Sequence, residues 1–104
     1  MGVGGRDIDD GIITGAVYTE LTVGVAAVEL KVGGSALADR VAVTMQPKDN
    51  NIYWGYDNTV TSTTGTQIFK NQFLMLPIGE DQAVWLIADG AGKKVVVSEL
   101  ASSD

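Results

Sequence analysis

The chain has 104 residues, the size of one ordinary domain; hydrophobic residues make up 45%, charged residues only 19%, and the formal net charge is −6. Its seven basic residues are scattered, with only Lys93 and Lys94 adjacent, so no surface is expected that neutralises nucleic-acid phosphates or an anionic membrane. Histidine and cysteine are both absent, which removes the usual general base, the thiol nucleophile, disulfides and His/Cys zinc sites.

Residues 1–16 hold many glycines and the acidic cluster Asp7, Asp9 and Asp10. Such a segment buries little and loses much entropy on ordering, so it reads as an extended arm ahead of a folded domain over 17–104. No basic region followed by an apolar stretch marks a secretory signal, and Arg6 stands where a myristoylation motif needs Ser or Thr. A calcium loop at Asp7, Asp9 and Asp10 is not expected, because Tyr18 fills the place of its last acidic ligand.

From Val17 the pattern changes. "VYTELTV" and "AVELKV" alternate apolar and polar residues, the period of half-buried strands. "GGSALAD" reads as an irregular loop. "RVAVTMQ" alternates again, with Val41, Val43 and Met45 on one face, and "PKDNN" is a turn. "IYWGY" follows as a strand with Ile52 and Trp54 on one face and Tyr53 on the other. "DNTVTSTTGT" is too polar for a core strand and reads as an exposed connection whose hydroxyls satisfy its own backbone. "QIF", "QFLMLPI", "QAVWLIA" and "VVVSEL" supply the remaining strands, the last two joined by the glycine turn "DGAGKK". Trp85, in the most apolar run, is expected to be buried.

About seven to eight short strands with turn signals between them predict an all-β fold, an antiparallel β-sandwich or jelly-roll-like barrel. Asp57, Glu80, Asp81 and Asp89 are the carboxylates that a glycosidase would need in pairs, but they sit in predicted turns and read as turn formers and solvated charges. Tyr53, Trp54 and Tyr56 could flank a ligand; an aromatic stripe on a strand is more often core or interface. No catalytic residue, cofactor or metal is expected.

The order "IYWG", "VTSTTGTQIF", "FLMLPIG", "VWLIAD" and "VVVSEL", with "AVELKVGGSALADRVAVTMQP" before it, resembles a family of small virion proteins of tailed bacteriophages over about residues 25–101. That resemblance implies a non-enzymatic structural protein on the surface of the phage particle, assembled in the host cytoplasm. Its most direct form is a capsid decoration or cement protein that binds the major capsid protein and stabilises the head shell. The low charge content fits a domain that hides much of its surface against partners. Copies are also expected to bind one another, most simply as a trimer at a local three-fold axis. Tyr53, Trp54, Tyr56 and the acidic residues Asp7, Asp9 and Asp10 are the candidate partner contacts. The alternative is a tail, neck or fibre component that binds carbohydrate or a host surface through Tyr53, Trp54 and Tyr56.

Overall fold

Alternation gives each strand one apolar face, and a single sheet cannot bury it; a second sheet must cover it. The computed structural model describes residues 12–102, and there the chain solves the problem with two four-stranded antiparallel sheets. The strands are β1 (Gly15–Val23), β2 (Val28–Glu29), β3 (Arg40–Pro47), β4 (Ile52–Gly55), β5 (Thr66–Ile68), β6 (Leu74–Leu76), β7 (Trp85–Ala88) and β8 (Lys93–Ala101). One sheet has the order β1-β8-β3-β6 and the other β2-β7-β4-β5. The fold is therefore a β-sandwich.

The first and last strands pair along their whole length, from Gly15↔Ala101 to Val23↔Lys93. On β8 the odd-numbered residues Val95 and Val97 point inward and are fully buried. They meet Val23 and Met45 of the same sheet and pack against Ile52, Trp54, Ile68 and Leu86 of the other. The strands that carry the two tryptophans are neighbours, with Trp54 opposite Leu86 and Gly55 opposite Trp85.

Three sequence expectations change in the folded chain. Val41 does not share the inner face with Val43 and Met45: it is exposed while they are buried. A bulge is the cause, because Arg40 pairs with Ala101 and Ala42 with Leu100, leaving Val41 as the extra residue. The expected strand "AVELKV" shrinks to Val28–Glu29. Leu30 N–H still reaches Val84 O at 2.7 Å, but Val32 N–H turns to the carboxylate of Glu99 at 2.9 Å, so the chain leaves the sheet. Trp85 is half-buried on the outer face of its sheet, since its neighbours Val84 and Leu86 hold the inward positions.

The Thr-rich connection is exposed from 56 to 64 except at Val60, which plugs into the end of β4, and Gly65 is half-buried. Two glycines make room for it. A Cβ at Gly55 would lie 2.8 Å from Val60 Cγ2, and one at Gly65 would lie 2.9 Å from Val60 Cγ2, Tyr53 Cβ and the backbone oxygen of Thr61. A side chain can move aside but a hydrogen-bonded carbonyl cannot, and Thr61 O already accepts from Gly65 N–H at 2.8 Å. Gly65→Ala is therefore expected to cost about 1–3 kcal/mol through overpacking. Urea unfolding measures this, and an unchanged midpoint would show that the connection is not seated as described.

Candidate functional site

Two places in the fold gather polar or exposed groups that the core does not explain. The first is the carboxylate of Glu99, which points inward from β8 and is 1% exposed. Arg40 Nη1 donates to Glu99 Oε2 at 2.8 Å, Leu37 N–H donates to the same oxygen at 3.0 Å, and Val32 N–H donates to Oε1 at 2.9 Å. The other terminal nitrogen of Arg40 donates to the carbonyls of Gly79 at 2.8 Å and Gln82 at 2.7 Å. One ion pair thus fastens the loop after β2, the start of β3 and the connection between β6 and β7 to β8. Beside it lies a groove of about 370 Å³ between Val17 of β1, the loop 32–38 and Glu99. Among the described residues Glu99 is the one acid lining the groove, and both of its oxygens already accept hydrogen bonds that fasten the fold. Among the described residues no three His, Cys, Asp or Glu side chains come together as a metal site.

The second place is the connection between β5 and β6. It leaves the edge strand of one sheet and enters the edge strand of the other. Gln72 N–H donates to Phe69 O and Phe69 N–H to Gln72 Oε1, both at 2.9 Å, which closes a tight turn. Asn71 takes a left-handed conformation at φ 68°, which asparagine tolerates better than most residues. Three further bonds tie the turn to the end of β3 and the loop that follows it. Asn71 N–H donates to Pro47 O at 2.8 Å, Gln46 Nε2 to Asn71 O at 3.0 Å, and Lys70 N–H to Asn51 Oδ1 at 2.9 Å. This fastened turn holds the only two phenylalanines of the chain in solvent: Phe69 is 59% and Phe73 61% exposed, and Met75 at the centre of β6 is 56% exposed. Two phenyl rings and a thioether left in water forgo roughly 25 cal/mol for every Å² not buried. The rigidity lowers the entropic cost of covering them.

The aromatics singled out by the sequence do not form one platform. Trp54 is 8% exposed and lies between the sheets, so neither of its faces is open to a ligand; burial in the core takes it out of the set of direct partner contacts. Tyr56 is exposed and meets the Trp54 ring edge-on, with centroids 5.2 Å apart. Tyr53 stands on the opposite side of β4, and its hydroxyl donates to Asp89 Oδ2 at 3.2 Å. Desolvation, and then the bond to Asp89 and its negative charge, hold the Tyr53 phenol above its usual range. Asp57 begins the Thr-rich connection and accepts from the Thr59 hydroxyl and from Thr59 N–H, at 3.0 Å for the latter; these bonds hold its carboxyl below the ordinary range. Thr61 Oγ1 accepts from the N–H groups of Thr63 and Thr64. The connection thus satisfies much of its own backbone. Asp7, Asp9 and Asp10 lie outside the described residues.

Phe69, Phe73, Met75, Arg40 and Glu99 were not among the sequence candidates, although signals for them exist. "FKNQF" places two phenylalanines around an asparagine turn between short strands. Glu99 shares the parity of Val95 and Val97, and a carboxylate at a core position requires a buried cation. Comparison with protein-family models, curated proteins and solved structures gives no match.

Proposed function

We propose that this chain is a non-enzymatic structural protein of a tailed-phage particle, a decoration or cement protein that docks on the head shell and stabilises it. The partner in this reading is the major capsid protein or another virion protein, and copies of the chain also meet one another. The particle surface is the site of action, after assembly in the host cytoplasm. One observation carries the docking part of the reading: Phe69 and Phe73 are held in solvent by a turn tied down by hydrogen bonds, and Met75 stands exposed on the strand that follows. Exposed apolar side chains on a rigid turn mark a surface made to be covered. The order of strand motifs supports the particle, as the resemblance implied.

The test is addition of the purified chain to head shells that lack it. Wild-type protein is expected to co-sediment with the shells and raise their melting temperature. Phe69→Ser with Phe73→Ser is expected to abolish co-sedimentation. Both side chains are already about three-fifths exposed, so the isolated protein should lose within about 0.5 kcal/mol of stability. Wild-type protein that binds no form of the shell would overturn the reading. The carbohydrate-binding alternative requires an open stacking face, which Trp54 does not provide. A glycan-array signal lost in Tyr56→Ala would put that alternative in place of shell docking.

A further inference from the structure

We infer that β1 is a self-pairing edge: two copies of the chain join β1 to β1 in antiparallel fashion about a two-fold axis at Thr19, making one continuous eight-stranded sheet. The inference rests on the self-association in the preceding reading and not on the particle.

Among the described residues four strands lie at sheet edges, and they differ in kind. β2 has two residues, and β5 and β6 have three each, too few to template a neighbour. β1 has nine, about 30 Å of strand, and its register with β8 is unbroken. Sheet edges are normally shielded by bulges, proline, lysine or brevity. β1 has none of these, and Glu20 is its only charge. Alternate N–H and C=O groups of an edge strand point away from its one neighbour, and among the described residues no second strand meets those of β1.

The inner layer also stops short at this edge. Val17, Thr19 and Leu21 face the same side as the fully buried Val95 and Val97 of β8, yet each is only half-covered. A second β1 would continue that layer.

Charge and parity fix the register. Residues directly opposite in a sheet share a face, so only pairings that match odd with odd keep both cores on the same side. Of these, pairing centred on Thr19 uses the whole strand, from Gly15 opposite Val23 to Val23 opposite Gly15. It sets Val17 opposite Leu21 of the second copy on the inner face. On the outer face it sets Tyr18 opposite Glu20, where the phenol can donate to the carboxylate. Pairing centred on Glu20 would oppose two carboxylates, which is unfavourable. Tyr18 is 80% exposed in the single copy, the most exposed large hydrophobic residue described, and this register gives it a partner. Antiparallel pairing of one strand with itself closes as a two-fold, so it yields a dimer in place of a trimer.

Sedimentation equilibrium of the full chain at tens of micromolar is expected to give twice the monomer mass of 10.9 kDa. A monomer or a trimer at that concentration would overturn the inference. Because the chain has no cysteine, Thr19→Cys places a single thiol on the axis. Opposed Cα atoms in an antiparallel pair lie about 4.5–5.5 Å apart, within the range a disulfide spans. Thr19→Cys is expected to cross-link fully under mild oxidation, and Thr59→Cys in the exposed connection is expected not to. A dimer that persists while Thr19→Cys stays unlinked would place the contact elsewhere and sink the proposal. A chain lacking residues 1–11 is expected to remain dimeric; loss of the dimer would assign the edge to that segment instead. Shell binding is measured separately, so failure of the dimer and failure of the docking reading are distinguishable.

Discussion

Glu99→Ala is expected to destabilise the protein by about 3–5 kcal/mol, because it leaves the Arg40 guanidinium buried without its counter-charge. The pair is fully inside, with side-chain exposures of 0% for Arg40 and 1% for Glu99, so water cannot take the place of the lost partner. For a domain of this size the melting temperature should fall on the order of 20 °C, read by circular dichroism. Arg40→Met with Glu99→Leu separates the parts of the effect. Replacing both charges removes the ion pair and its desolvation together, and is often near neutral. Here the recovery should be incomplete. Val32 N–H and Leu37 N–H would lose their acceptor, and each orphaned donor costs about 1–3 kcal/mol. The residual deficit therefore measures how firmly Glu99 holds the 32–37 loop. A Glu99→Ala protein that melts within a few degrees of wild type would show that the network does not organise the fold. Arg40 Nε has no partner among the described atoms, so the network already carries one unmet donor.

Trp54→Ala is the second large effect, expected at about 3–5 kcal/mol, the usual cost of emptying a buried indole site. Trp54 points from β4 into the core between the two sheets, with Leu86 of β7 opposite it in the ladder. Tyr56→Ala, two residues further along, removes a ring that is 61% exposed and should cost about 1 kcal/mol or less. The contrast decides between core and platform. If Trp54 were a ligand-stacking residue, its loss would leave stability nearly intact and abolish binding. Guanidinium unfolding of the two variants gives the answer, and equal midpoints would contradict the burial of Trp54. Trp54 Nε1 is buried with no partner among the described residues, so Trp54→Phe should lose much less than Trp54→Ala.

The contrast between Trp54 and Phe69 shows where sequence patterns carry information and where they stop. Trp54 shares parity with Ile52 on a short strand, and that local fact places it inside. Phe69 follows Ile68 at the end of a still shorter strand, and Phe73 precedes Leu74; by apolar character alone both read as core. They are turned outward because the Asn71 turn is tied to Pro47 and Asn51, distant in sequence. Val41 shows the same limit. Its alternation with Val43 is real in the text, yet a bulge set by the pairing of β3 with β8 expels it.

What the sequence determines by itself is what depends on neighbours along the chain. Period-two alternation specifies strands, short strands with turn residues between them specify an antiparallel sandwich, and the absence of histidine and cysteine removes whole classes of chemistry. The tertiary structure alone decides which strand meets which. It brings the first described strand beside the last, leaves β1 as the one long edge among the described strands, joins Arg40 to Glu99 across 59 positions, and holds Phe69 and Phe73 in water. Those outcomes depend on contacts between segments far apart in sequence. A one-residue bulge or a single hydrogen-bonded turn is enough to reverse which way a side chain faces.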